Sequence, residues 1–360
     1  MPFDDRIFPS RAGETMHGRR ALAGWLFGLC GMIFVMIVLG GATRLTGSGL
    51  SIMEWAPVAG ILPPLSHADW ERLFRLYQQI PQYALLNEGF GLSGFQHIFW
   101  LEYVHRLWGR LIGVFFVVPL IWLWLRGAVP RSMLPRLALL FALGGLQGAV
   151  GWFMVASGFF PDSTAVAPDR LAIHLALALV LYAALLWTGL GVLRPIPTDE
   201  NPLLRRLAMA LAVLVPLTML AGAWVAGLHA GLDYNTFPLM DRRVVPAGYA
   251  ALTPFWRNAF ENIAAVQFNH RLLATLTAAV GSAAVSVGML ARGRARLAAL
   301  ALGGAVAAQY TLGVATLLLV VPVPLAVAHQ AVAVLVLTAA LVLLHTVRRP
   351  ILSSVRGVSP

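Results

Sequence analysis

Leu101-Glu102-Tyr103-Val104-His105-Arg106-Leu107-Trp108-Gly109-Arg110 puts a carboxylate, an imidazole and a guanidinium within five residues of an otherwise apolar run. A charged side chain at the centre of a membrane helix costs about 2.5–3.5 kcal/mol on insertion scales, so three such groups together imply a site. Glu102 and His105 are three residues apart and share a helix face. The pattern returns 165 residues later, where Gln267-Phe268-Asn269-His270-Arg271-Leu272 matches Glu102-Tyr103-Val104-His105-Arg106-Leu107, with Glu replaced by Gln.

The surrounding chain has 360 residues, of which 59% are hydrophobic and 11% charged. A soluble domain carries roughly 25% charged residues. The composition is that of a polytopic membrane protein. The net charge of +11 comes from arginines in short loops between apolar runs, so the positive-inside rule explains it better than nucleic acid does. The single cysteine, Cys30, lies mid-helix, which excludes an intrachain disulfide and disfavours a thiolate metal site. Residues 1–20 are polar and contain Asp4, Asp5 and Glu14, unlike a secretory signal, so the first apolar run is expected to stay as an anchor.

Eight apolar runs are long enough to span a bilayer: 21–43, 97–125, 137–157, 171–193, 207–228, 263–291, 297–321 and 325–346. Arg126, Arg131 and Arg136, Arg194, Arg205 and Arg206, and Arg292, Arg294 and Arg296 follow spans two, four and six. With the arginines of both termini they define one side, the cytoplasmic one. Two long connections, 44–96 and 229–262, then face outwards. The first holds a helix from Ser66, with Ser66 and Asp69 as a capping box and Trp70, Leu73, Phe74 and Tyr77 on one face. It is expected to lie on the membrane surface or bundle, or to cover a site.

The halves repeat. Gln147-Gly148 and Gly151 echo Gln309-Tyr310 and Gly313, and Ala172-Ile173-His174 echoes Val327-Ala328-His329. Ala42 and Gly49-Leu50 echo Ala223 and Gly231-Leu232. Four spans per half make the repeat parallel about an axis along the membrane normal. The expected fold is an all-α integral membrane protein: eight transmembrane helices as two four-helix bundles related by a parallel internal repeat. The expected divisions are a cytoplasmic segment 1–20, a first half 21–193, a linker 194–206, a second half 207–346 and a tail 347–360.

Of nine histidines, His17, His67 and His345 fall in termini or loops, and His97 and His229 at the outer interface. His105, His174, His270 and His329 each sit near the start of an even-numbered span, at similar depth near the outer face. A lone histidine there would be a satisfied core residue. Four at equivalent depth, paired as His105 with His174 and His270 with His329, point to a site. Two imidazoles facing each other across a bundle suit the axial ligation of haem iron. Zinc would want further ligands that neither pair offers.

Arg106 and Arg271 directly follow two of these histidines. They suit either haem propionates, through their planar fork, or snorkelling to lipid headgroups. Glu102, one turn before His105, either supplies a carboxylate to one haem only or pairs with a neighbouring arginine, since Gln267 keeps the shape without the charge.

The motifs Gly40-Gly41-Ala42-Thr43-Arg44-Leu45-Thr46-Gly47-Ser48-Gly49-Leu50-Ser51, Trp55-Ala56-Pro57, Glu102-Tyr103-Val104-His105-Arg106, Tyr234-Asn235-Thr236-Phe237-Pro238-Leu239-Met240 and Asn269-His270-Arg271 resemble the haem A synthase family of proteobacteria and mitochondria. The resemblance implies oxidation of a ring methyl of haem O to the formyl of haem A, by successive hydroxylations with water as oxygen source. It implies substrate haem between His105 and His174 with Arg106, a haem b cofactor between His270 and His329 with Arg271, and Glu102 as the catalytic residue. All four histidines would then be iron ligands. It further implies a haem O synthase as donor, cytochrome oxidase assembly factors as acceptors, and an electron acceptor left unidentified; a homo-oligomer is compatible with it. The location would be a bacterial inner membrane, multi-pass, with both termini cytoplasmic and the haem sites towards the outer face. Outer-loop cysteine pairs found in some members are absent here, so electrons must leave by another route. The competing classes are a di-haem cytochrome b passing electrons from quinol, which does not need the Glu102/Gln267 difference, and a transporter, which would want midplane helix breaks.

Overall fold

The computed structural model describes residues 16–194 and 201–349. Most of the expected segment 1–20 and tail 347–360, and residues 195–200 of the linker 194–206, therefore fall outside the described residues. Regular structure among the described residues is helical: α1 (Met16–Leu45), α2 (His67–Tyr77), α3 (Pro81–Leu86), α4 (Leu92–Leu125), α5 (Leu134–Ala156), α6 (Pro168–Leu193), α7 (Pro202–Gly227), α8 (Asn258–Glu261), α9 (Ile263–Gly288), α10 (Gly293–Leu318) and α11 (Val323–Thr346). Eight of these, all but α2, α3 and α8, are long and apolar enough to cross a membrane. A chain crossing hydrocarbon must satisfy its backbone internally, which is why each span is one unbroken helix.

Seven of the eight spanning helices begin earlier than the apolar runs suggest, and at α7 a side-chain cap sets the start. Asn201 accepts from the backbone N–H of Leu203 and Leu204 to start α7, and Pro168 and Pro202 occupy first turns. α4 is the longest, at 34 residues. At 1.5 Å per residue it measures about 51 Å, against about 30 Å of hydrocarbon, so part of it projects beyond the bilayer. It stops at Gly127, whose positive φ of 69° lets the chain turn back and cap the last carbonyls.

The N-terminal end of α4 carries α2. Ser66 and Asp69 form the expected capping box. Trp70 packs edge-on against Phe99 at 4.8 Å, and Phe74 and Tyr77 lie against Phe95, each at 5.4 Å. The apolar face of α2 is thus spent on the bundle. A second apolar cluster forms here, around Leu50, Tyr77, Phe95, Phe99 and Tyr103.

The main core is continuous through the long helices and includes Leu26, Leu29, Leu185, Leu211, Leu302 and Leu337. α1 packs on α4 and α6, and α6 on α5; α7 packs on α9 and α11, and α10 on both α9 and α11. The two groups join along α1, α6, α7 and α11. Small residues allow the close approach: a Cβ on Gly227 would collide with Pro168, and one on Gly189 with Phe27. His345, expected in a terminus or loop, is instead buried in the last turn of α11 with its ring edge on Trp187 at 5.0 Å.

Candidate functional site

Each of the four histidines is seated on a glycine of a neighbouring helix. A Cβ at Gly40 would lie 3.2 Å from His105 Nε2; at Gly151, 2.9 Å from His174 Cε1; at Gly222, 3.1 Å from His270 Cε1; at Gly313, 2.8 Å from His329 Cε1. Only a hydrogen at those α-carbons leaves the rings their places. The glycines of α1, α5, α7 and α10 are in this sense part of the site.

The second pair is the more completely defined. The rings of His270 and His329 have centroids 6.5 Å apart and lie at 88° to one another. His270 Nδ1 is 3.1 Å from the Thr218 carbonyl, which can only accept, so Nδ1 carries the proton and Nε2 keeps its lone pair. With metal–imidazole bonds of about 2.0–2.1 Å and about 1.2 Å from nitrogen to ring centre, two ligands on one ion have centroids about 6.5 Å apart. The separation of the two rings matches that length. His329 Nδ1 is buried without a partner.

In the first pair, His105 stands on α4 and His174 on α6. The Gln147 amide donates to the His174 carbonyl at 3.0 Å and lies 3.2 Å from its Nδ1. The His105 ring makes no hydrogen bond among the described residues. Gln309 stands by His329 as Gln147 stands by His174, with Nε2 3.4 Å from the ring, and the Oε1 of both glutamines is buried and unpartnered. No group of three or more His, Cys, Asp or Glu that could hold a metal ion occurs among the described residues.

Glu102 is 2% exposed and both its oxygens are engaged. Oε2 accepts from Ser51 N (2.7 Å), Ser51 Oγ (2.7 Å) and Ile52 N (2.9 Å). Oε1 accepts from Arg106 Nε (2.9 Å) and NH2 (2.6 Å). Arg106 spends its other contacts on the carbonyls of Ile52 and Glu54, and Arg110, one turn further, donates to those of Ala56 and Pro57. One face of α4 thus straps down residues 51–57.

Gln267 does the same with the opposite polarity. Its amide donates to the carbonyls of Ala230 and Asp233, both at 2.6 Å, and its Oε1 accepts from Arg271 NH2 at 2.7 Å. Arg271 donates to the carbonyls of Tyr234 and Thr236. Loop N–H groups face residue 102 and loop carbonyls face residue 267, so Glu and Gln are each the side chain that fits. Both arginines, read from sequence as propionate or headgroup ligands, are turned towards loop carbonyls.

Three residues here carried no clear sequence signal. Ser51 appeared only as the end of a motif. Arg44 NH2 crosses between the halves to the carbonyls of Ala226 and Gly227 and to His229 Nε2 at 3.2 Å. Gln330, beside His329, donates to the Ile37 carbonyl at 2.8 Å and fills the space where a Cβ on Gly41 would sit. Gly40 and Gly41, adjacent on α1, thus touch His105 on one side and Gln330 on the other.

Eight membrane-length helices carrying four glycine-seated histidines define a polytopic membrane protein. The chain belongs to the COX15-CtaA family, described as cytochrome oxidase assembly protein, which it matches over residues 23–341. It is 62% identical over 356 residues to a protein of Granulibacter bethesdensis named Heme A synthase, across 94% of this chain and 93% of that one. A protein of the same name from Rhodospirillum centenum is 51% identical, across 92% and 89% of the two chains. One from Nitrosospira multiformis is 46% identical, across 95% and 97%.

Proposed function

We infer that this protein is a haem A synthase, oxidising a ring methyl of haem O to the formyl group of haem A. The family and the relatives' names support the reaction, and the perpendicular His270–His329 pair is the observation that carries the haem chemistry. Haem b is the resident cofactor of that pair, and substrate haem O lies between His105 and His174. When bound, haem b supplies one-electron redox capacity.

Turning a methyl into a formyl removes four electrons and four protons and adds one oxygen, which comes from water. It proceeds through the hydroxymethyl, then a hydrate that loses water. The electrons pass to an acceptor outside this chain. The protein's part is to fix the substrate and its charge environment. Glu102 is pinned in place by five donated hydrogen bonds. It acts as a fixed negative charge in a water-poor site, where such a group counts for most as positive charge develops at the methyl carbon. Gln267 places no charge at the other pair, whose haem stays unmodified. Arg106 and Arg271 hold the outer loops over the sites.

The protein lies in a bacterial inner membrane with both termini cytoplasmic and both pairs towards the outer face, its halves two copies of one four-helix unit. A haem O synthase delivers substrate and cytochrome oxidase assembly factors take product. The test is haem extraction and chromatography from cells expressing the chain with a haem O source, together with pyridine haemochrome analysis of the purified protein. Haem A in the extract and haem b with traces of haem O or A in the protein are expected. Haem b alone would make it a di-haem cytochrome, and no haem would overturn the reading.

A further inference from the structure

The helix pair α9–α10 is closed, and its counterpart α4–α5 is not. α9 and α10 pack along their length: Val306 fills the space over Gly281, Val285 fills that over Gly303, and Thr275 Oγ1 meets Tyr310 at 3.2 Å. α4 and α5 meet at only a few places. One is Phe116 against Phe141, with ring centroids 5.3 Å apart. Outward of it, Gly113 on α4 and Gly144, Gly145 and Gly148 on α5 have nothing within 4 Å of an added Cβ. The gap ends at an aromatic roof, where Trp55 of the strapped loop stacks on Trp152 at 6.0 Å and Arg106 lies 5.7 Å from the same ring. Phe141 and Trp152 are eleven residues apart, which makes the gap about 16 Å tall. Gln147, between the open glycines, turns in to His174, and Gly151 is the seat of that imidazole. The gap therefore leads from the lipid-facing surface to the first histidine pair.

We propose that the gap between α4 and α5 is the lateral port by which haem O passes between the bilayer and the His105–His174 pair. It rests on the reading that this pair holds the substrate. Haem O, a flat macrocycle with a long isoprenoid tail, resides in lipid rather than water, so a route through the side of the bundle spares it a crossing of the polar outer loops. The open glycines leave a smooth wall for the tail. A substrate must enter and leave on every turnover and a resident cofactor must not, which matches an open first half and a closed second half.

The test uses the full-length protein, loaded with haem b and reconstituted in vesicles to which haem O is added. Gly148→Leu adds a side chain where there is room and improves helix propensity. It is expected to slow haem O uptake roughly tenfold, as a restricted entry does, while the haem b spectrum stays unchanged. Gly304→Leu, at an equally open position on α10, is expected to leave uptake as in wild type. As a second measurement, Gly148→Cys is made in a Cys30→Ser background, Cys30 being buried. A lipid-soluble maleimide should alkylate it, and haem O should protect it.

Wild-type uptake in Gly148→Leu, or alkylation indifferent to haem O, with haem O binding still abolished by His105→Ala, would overturn the port and leave the site reading intact. Normal haem O binding in His105→Ala would remove the site reading and the port with it. Loss of a cross-linkable oligomer in Gly148→Leu, with unchanged uptake, would make the gap a contact between copies and overturn the proposal as well.

Discussion

Glu102 Oε2 takes two hydrogen bonds from Ser51, one from its backbone N–H and one from its hydroxyl, each 2.7 Å long. The carboxylate that sequence marks as reactive is thus also the anchor of the loop at residues 51 and 52. The two roles share one atom, so any substitution at 102 tests both.

In Glu102→Gln the side chain has one acceptor where loop and Arg106 present five donated bonds, and its NH2 must face N–H groups. Haem A production should fall by a factor on the order of 10²–10³, with haem O accumulating and haem b retained. Ser51→Ala keeps the charge and the backbone bonds, and should keep most of the activity. Chromatography of extracted haems compares the two. Equal losses in both would assign the effect to the loop rather than the charge.

His270→Met and His329→Met should each change the optical spectrum and midpoint potential of the resident haem and lower its occupancy, because axial identity sets both. Redox titration of purified protein is the check. Unchanged spectra in both variants would remove the ligand assignment.

The glycine seats predict a steric pattern. Gly313→Ala puts a methyl 2.8 Å from His329 Cε1 and should reduce haem b content, whereas Gly304→Ala meets nothing within 4 Å and should not. Haem-to-protein ratios by pyridine haemochrome distinguish the two.

Reporter fusions test the orientation. Alkaline phosphatase fused at Ser66 should be active and at Arg194 inactive. The reverse would turn the protein over and place both imidazole pairs near the inner face.

His229 follows the end of α7 in a left-handed conformation, with φ of 55°, and its Nε2 accepts from Arg44. Desolvation first, and the Arg44 charge second, lower its pKa below the usual value. A histidine whose folded pKa is depressed opposes protonation, so its contribution is present above the unfolded value of about 6.5 and is lost as pH falls from there through the lower folded value. Melting temperature should drop slightly between pH 7.5 and 5.5. His229→Asn, which tolerates the backbone conformation, should flatten that dependence. An identical slope in the variant would remove the residue from it.

Much of this was legible in the sequence. The spans follow from runs of apolar residues, since lipid admits only segments that bond their own backbone. The histidines stood out because polar groups in such runs are costly, and the Ser66–Asp69 cap because its geometry is local. Helix starts were misjudged at α4, which projects at its N-terminal end, and at α7, where the Asn201 cap and not hydropathy sets the boundary. His345 looked peripheral because burial by Trp187 involves a residue far away in the chain.

By itself, then, the sequence determined that the chain is a bundle of eight membrane helices with four imidazoles in two pairs, because these depend on periodicity, length and the cost of polar groups in lipid. Tertiary structure alone decided that Glu102 and Gln267 match loops of opposite polarity, that Gly40, Gly151, Gly222 and Gly313 seat the rings, and that α4 and α5 stand apart while α9 and α10 close. Each depends on which surfaces meet across the bundle, and the spacing of residues along a chain carries no record of that.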